Sequence, residues 1–427
     1  MNQHDGPDRP LRGQVDEPYD VIVVGARPAG AATAMLLARR GRRVLVVDRM
    51  ARGSDTRSTH ALMRVGVHQL QRWGLVEPLR AAGTPDVPHV TFHYGDETEV
   101  VAVTPTAEVP TLLAPRRTVL DPVLADAATA AGADVRFGVR VTSLVQEPDG
   151  TVVGLRGRTG DDVGFEARAR IVVGADGAGS MVAREVGADV VAANRWGAAF
   201  AHAYFAPDPS GSGFPGYEWC YRPGVAAGVI PTNDGVVAWV GGPPDRLRAD
   251  LRDDTEGGFW SLLAEASPTV HARLRTATRT SRFQLHPGQA SFLRRAHGRG
   301  WALVGDASHF VDPNSAHGIS DALRDAELLA RAIDGGLAAP ATLPTQLARY
   351  ERQRDALSHP LMAAVDPVAS FAWDLPGVRA HLLAMSDAMR DQLRAMRSIL
   401  ADEPPDLTDV GPPPLNPPWT SPVASIV

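Results

Sequence analysis

The most regular alternation of apolar and polar positions runs from Tyr19 to Asp48, YDVIVVGARPAGAATAMLLARRGRRVLVVD. Val21 to Val24 is a short β-branched run, the pattern of a buried parallel strand. Gly25 breaks it, and Pro28 stands where a first helical turn begins and a missing N–H costs nothing. Ala29 to Arg40 is rich in helix formers, with Gly41 as C-cap. Val44 to Val47 is a second buried run, and it closes on an acid, Asp48.

Later segments repeat these signals less tightly. Met50 to His60 is a polar loop expected at the carboxyl ends of the strands, where open α/β sheets bind ligands. Apolar spacing predicts a helix over Leu62 to Leu79. Val90 to Val103 alternates and predicts a hairpin of exposed antiparallel strands, the start of a second sheet. A helix is expected over Leu120 to Ala131, capped by Gly132. Val135 to Leu144 and Val152 to Arg158 are read as strands paired around Pro148-Asp149-Gly150. Ile171 to Gly174 is another buried strand, and Trp196 to Trp239 is β-rich and aromatic. Helical stretches fill Arg246 to Thr276, with Phe283 to Arg294 as a last strand of the second sheet. Trp301 to Val304 is a third buried strand. Helices follow over Ile319 to Ile333, Gln346 to Leu361 and Val378 to Leu400.

This order predicts an α/β fold: a Rossmann-like domain with an antiparallel sheet inserted into it and helices at the C-terminus. The expected division is a polar leader over 1–18; a nucleotide domain over 19–89, 113–185 and 295–360; a substrate sheet over 90–112 and 186–294; helices over 361–402; and a proline-rich tail over 403–427.

A length of 427 residues suits two or three domains, and a net charge of -6 argues against a nucleic-acid partner. Cys220 is the single cysteine, so no internal disulfide or cysteine zinc cluster forms, and no His, Asp or Glu spacing suggests a metal site. The amino terminus carries no signal-peptide core and no apolar run reaches spanning length, so a cytoplasmic location is expected. No lysine occurs anywhere. Schiff-base chemistry, a P-loop and any lysine acid or base are therefore excluded.

The Tyr19–Asp48 text is a dinucleotide fingerprint, each part with its task. Gly25 permits the tight turn, Gly30 lets helix and strand pack closely, the helix start receives a pyrophosphate, and Asp48 accepts from a ribose hydroxyl. One position departs: the middle glycine is Arg27. Its side chain must either turn away or meet a phosphate itself.

Two further motifs bring a resemblance. Gly174-Ala175-Asp176-Gly177-Ala178-Gly179-Ser180 is similar to the DG motif, and Gly305-Asp306-Ala307-Ser308-His309 with Pro313 and Gly318 to the GD motif, of FAD-dependent monooxygenases of the p-hydroxybenzoate hydroxylase fold. Arg117 matches an arginine of that family in R-x-x-L-D spacing, and Arg57 a position in its flavin-facing loop. The resemblance implies an FAD site drawn from Gly25, Ala26, Arg27, Ala29, Gly30, Asp48, Arg49, Arg57, Ser58, Arg117, Val141, Asp176, Gly305, Asp306, Gly318 and Ile319. It also implies NAD(P)H as a transient electron donor and a C4a-(hydro)peroxyflavin that oxygenates an aromatic or polycyclic substrate. Pocket candidates are His60, Tyr217, Trp219 and Pro313. A small-molecule substrate, no nucleic acid, no membrane span and a monomer or homodimer complete the expectation. Tyr217-Glu218-Trp219-Cys220-Tyr221-Arg222-Pro223 resembles a pattern of geranylgeranyl reductases, which keeps a reductase open, and a flavin-binding protein without turnover is a further alternative. The related flavin halogenases depend on a lysine, which this chain lacks.

Overall fold

Two large sheets dominate the fold, and the computed structural model describes the chain through residues 18–206 and 213–401. The proline-rich tail expected over 403–427, and all but the last residue of the expected leader, lie outside the described residues. In the first sheet the strands Gly164–Gly174, Tyr19–Val24, Val44–Asp48 and Asp134–Phe137 run parallel as successive neighbours. Trp301–Leu303 adds a parallel strand on the far side of Gly164–Gly174. β-Branched residues fill both faces, as a sheet covered on both sides requires. Val21, Val23, Val44 and Val46 pack in the core that holds the helices Pro28–Arg39, Arg117–Ala130 and Gly318–Ala338. Ile22, Val24, Leu45 and Val47 pack on the other face, under the antiparallel ribbon Arg140–Gln146 and Val152–Arg158.

The second sheet runs in the order Gln284–His286, Ala199–Phe205, Gly235–Gly242, Val225–Thr232, Tyr217–Arg222, His89–Tyr94 and Glu97–Ala102. Its pairs are antiparallel except Tyr217–Arg222 with His89–Tyr94, which run parallel. Alternation along the strands sorts its faces. Ala199, Ala201, Ala203 and Phe205 pack in one core with the helices Pro244–Leu251, Thr255–Ala266 and Pro268–Leu274. Phe200, Tyr204, Tyr217, Trp219 and Trp239 pack in another, with Ala61, Leu112, and Phe371 and Trp373 from the link that follows the helix Leu343–Ser370.

Several expected elements change on folding. The helix expected over Leu62 to Leu79 is two, Arg64–Arg72 and Val76–Ala81, divided at Gly74 with φ 75°. The strand expected from Val135 to Leu144 also splits, at Gly138 with φ 70°, so that its halves serve different partners. Phe283 to Arg294 contributes Gln284–His286 to the second sheet, whereas Phe292–Arg294 joins a small separate sheet with Val190–Ala193 and His309–Phe310. Leu343–Ser370 outruns the expected Gln346–Leu361 helix and continues through Pro360 and Pro367. In the Val90–Val103 hairpin, Glu97–Ala102 is exposed, while Thr91, His93 and Tyr94 are buried by the parallel neighbour.

The C-terminal helices are tied in by buried charge. Arg324, wholly buried, donates to Asp321 (2.6 Å), Asp325 (2.8 Å) and Ser358 (2.9 Å), joining Gly318–Ala338 to Leu343–Ser370. Among the described residues no helix is long and apolar enough to cross a membrane.

Candidate functional site

The glycines of the first turn are fixed by protein contacts. Gly25 has φ 107°, and a Cβ there would lie 2.4 Å from the Ala175 carbonyl oxygen. A Cβ at Gly30 would lie 1.9 Å from the Gly25 carbonyl oxygen. Only glycine lets strand, turn and helix close this tightly. Asp48 follows on the next strand, buried, accepting from the N–H groups of Ala26 and Met50 at 2.8 Å each. Beside it Ala26, Arg27, Asp48, Met50, Pro122 and Phe137 line a shallow hollow. Arg27 caps the helix Pro28–Arg39 without a side-chain hydrogen bond, so the first helical turn faces the hollow as an anion-binding end.

The third motif closes onto the same place. Gly305 has φ 61°, and a Cβ there would lie 2.6 Å from Ala29 Cβ, so the distant Gly305–Asp306 turn abuts the first turn of that helix. Asp306 keeps part of its surface accessible, yet protein surrounds it on nearly every side, as at the floor of a crevice. Burial pushes its carboxyl up to about 6, against the lowering charge of Arg117 and with Asp321 adding to the rise. At Gly318 a Cβ would touch only Val311 Cγ1 at 4.0 Å, leaving the backbone open. The helix that starts there also lacks a side-chain cap. Pro313, Gly318 and Ile319 are half-buried along this segment.

Between these ends lies a charged cluster. Arg117, buried, donates to Asp121 at 2.6 and 3.0 Å. Arg116 donates to Asp55 at 3.3 Å and lies 4.2 Å over the Tyr204 ring. Tyr204 Oη meets His60 Nε2 at 2.5 Å, the two rings stacked at 5.5 Å. His60 is buried with φ 68°, a left-handed backbone costly for a side-chain-bearing residue. Burial, then Arg117, His202 and Arg116, push its imidazole well below the usual histidine range. Burial also pushes His202 down to about 4 and raises Tyr204 above the ordinary phenol range. Both side chains point from the aromatic face of the second sheet. A cavity of about 180 Å³ opens alongside, lined by Arg116, Tyr204, Asn233, Asp234, Thr280 and Ser281 among others.

The remaining candidates scatter. Arg57, exposed, donates to the Leu285 carbonyl at 2.9 Å and ties the Met50–His60 loop to the second sheet. Ser58 Oγ accepts the His60 N–H at 3.1 Å. Arg49 is exposed, and Val141 packs at the edge of the core beneath the first sheet. Asp176 is spent locally, accepting from Ser180 Oγ and the N–H groups of Met181 and Val182 to cap a short helix. Tyr217 is a core brace: wholly buried, it donates to the Leu113 carbonyl at 2.8 Å and accepts the Leu62 N–H at 3.3 Å. Trp219 is wedged beside it, between Tyr217 and Trp239. Sequence reasoning missed Asp55, Arg116, His202 and Tyr204. The His202–Tyr204 alternation on one strand was the available signal, but nothing local pairs that strand with His60.

The residues fit a flavin nucleotide. Arg27 Nη1, Arg116 Nε and His60 Nδ1 are buried nitrogens without hydrogen-bond partners, spaced along the crevice between two uncapped helix starts. Asp48 stands beside the first of these helix starts, and Asp306 follows the Gly305 turn that abuts it.

Comparison with known proteins agrees. A family model described as an FAD binding domain matches residues 18–365. The chain is similar to 2,4-dichlorophenol 6-monooxygenase of Delftia acidovorans, 25% identical over 427 residues, covering 91% of this chain and 68% of that protein. It is similar to menaquinone reductase of Mycolicibacterium smegmatis, 28% identical over 344 residues, 74% of this chain and 76% of that one. The solved structure of the flavin-dependent brominase Bmp2 shares the fold at TM-score 0.73 and 20% identity, covering 89% of this chain and 93% of that one.

Proposed function

Because the chain belongs to the FAD binding domain family over residues 18–365 and is an FAD-dependent oxidoreductase, we propose that it is an NAD(P)H-consuming monooxygenase of an aromatic or polycyclic small molecule. In the net reaction NAD(P)H supplies a hydride, solvent a proton and O2 two oxygen atoms. One oxygen enters a substrate C–H bond as hydroxyl, and the other leaves as water with the hydride's hydrogen and the proton, releasing NAD(P)+. FAD, when bound, supplies the electron transfer and oxygen activation that no side chain offers.

The chain's own part is to hold and shield. Asp48 would accept from the adenosine ribose, the first turn of Pro28–Arg39 with Arg117 would meet the diphosphate, and Asp306 would accept from the ribityl chain. The N–H groups at Gly318 and Ile319 would face the pyrimidine edge, where the helix dipole favours negative charge. Substrate would lie between that edge and the aromatic face carrying His202, Tyr204 and Trp239. The division into a flavin-binding part (19–89, 113–185, 295–360) and a substrate sheet (90–112, 186–294) belongs to this proposal, as do the cytoplasmic location and a monomeric or homodimeric state.

The observation that carries the reading is the buried pair on the aromatic face, Tyr204 Oη to His60 Nε2 at 2.5 Å. With the imidazole held neutral and the phenol held protonated by burial, the pair can orient a substrate hydroxyl by hydrogen bonding while neither group takes on charge. The test uses 18O2, NAD(P)H and a panel of phenols and fused-ring aromatics. Heavy oxygen in the product, with NAD(P)H oxidation stimulated by that substrate, is the expected result. The similarity to a menaquinone reductase favours a second reading, an FAD-dependent reductase; product gaining two hydrogens and no label would establish it instead.

A further inference from the structure

Arg27 stands where the fingerprint writes its second glycine, and its side chain turns inward. Nη1 lies 3.7 Å from Asp121 Oδ2, and Nη2 lies 3.5 Å from the Asp55 carbonyl oxygen. Both are long for a charged donor, which settles at ~2.7–2.9 Å. Asp121 is already engaged by Arg117 at 2.6 and 3.0 Å, so it has little to offer a second guanidinium. Arg27 Nη1 is shut off from solvent and has no hydrogen-bond partner. Burial, then the like charge of Arg117, lower the affinity of Arg27 for its proton. A buried N–H left unanswered is costly, and two neighbouring guanidinium forks match the oxygens of a phosphate. Their position, at the uncapped start of Pro28–Arg39 and beside Asp48, is where a diphosphate would cross.

Resting on the flavoprotein reading, we propose that Arg27 and Arg117 together clamp the diphosphate of FAD, with Arg27 replacing by a side-chain ion pair the close backbone approach that glycine gives elsewhere. The Asp55 carbonyl is then a stand-in that Arg27 releases when the diphosphate arrives.

The test uses full-length apoprotein: wild type, Arg27→Met, Arg27→Lys and Arg27→Gly. Each is titrated with FAD and with ADP, which carry the diphosphate, and with riboflavin, which does not; the thermal midpoint of each apoprotein is recorded. Arg27→Met is expected to weaken FAD and ADP about 10- to 100-fold, the span of a lost charge-assisted bond. Riboflavin binding stays within about two-fold, and Arg27→Lys recovers part of the loss. Added NaCl weakens ADP more in wild type than in Arg27→Met. Unchanged FAD and ADP binding in Arg27→Met, or tighter binding in Arg27→Gly than in wild type, overturns the clamp while leaving the flavoprotein reading intact. A wild-type apoprotein that takes up neither FAD nor ADP overturns that reading instead. Should Arg27→Met fail to fold, Arg27→Gln carries the same comparison.

Discussion

The fingerprint turn and the aromatic face of the second sheet, proposed to hold nucleotide and substrate, are built in opposite ways. At the nucleotide end, strand, turn, helix and acid come from one continuous stretch, Tyr19 to Asp48, and geometry follows from local spacing. At the aromatic face, His60, Arg116 and the strand that carries both His202 and Tyr204 arrive from three separate segments and meet only once two sheets have packed together. The first region tolerates no added volume. The second holds titratable groups at a cost, with buried neutral histidines and a left-handed backbone at His60.

The sharpest way to break that contrast is to crowd the turn. Gly25→Val places a branched side chain at φ 107° against a carbonyl 2.4 Å from its Cβ. A loss of about 3 kcal/mol or more is expected, seen as a collapsed thermal midpoint or insoluble protein. A similar midpoint would show that the turn has slack.

Next comes acid stability, which belongs to the substrate face. His202 titrates at about 4 when folded and near ~6.5 when unfolded. Between those values the unfolded chain carries the extra proton, so the folded state loses stability as pH falls through that window. His202→Gln should remove about 1–3 kcal/mol of that loss between pH ~6.5 and ~4, measured by urea unfolding at both. Asp312, pushed up to about 7 by burial, acts with the opposite sign. Folded, it holds a proton that the unfolded chain sheds near ~4, so its contribution is lost as pH rises towards 7. The histidine effect is therefore read as the difference between variant and wild type.

A third expectation separates binding from turnover. Tyr204→Phe keeps the ring under Arg116 and removes the hydroxyl that meets His60. Product formation should fall about 10-fold with FAD affinity unchanged, the size of a lost orienting hydrogen bond. The smallest expected effect is at Asp48→Asn, which keeps an acceptor but loses its charge; FAD affinity should drop several-fold, by about 1 kcal/mol.

Legibility in the sequence divides along the same line. The fingerprint and the third motif were readable because each lies within one run of residues, and the two sheets because each of their strands carries its own local pattern. Gly138 and Gly74 were not read as breaks, although each turns the chain with positive φ. Tyr217 looked like a pocket residue because aromatics on a strand advertise area and not direction. Its hydroxyl is in fact consumed by Leu113 and Leu62. Asp176 looked like a cofactor ligand and spends its oxygens on its own helix start. Nothing local to Arg116 or Tyr204 announces that they stack, since their segments meet only through the tertiary fold.

We propose that the Gly25–Gly30 turn and the Gly305–Gly318 segment hold one flavin nucleotide between them. The most direct measurement of this is FAD titration of the apoprotein, followed by flavin absorbance, in wild type, Asp48→Asn and Gly318→Val. Saturable binding that both variants weaken, with the flavin absorption band displaced only in Gly318→Val, is the predicted result. A wild-type protein that takes up no FAD, or a Gly318→Val variant that binds it with unaltered affinity and spectrum, would contradict the account.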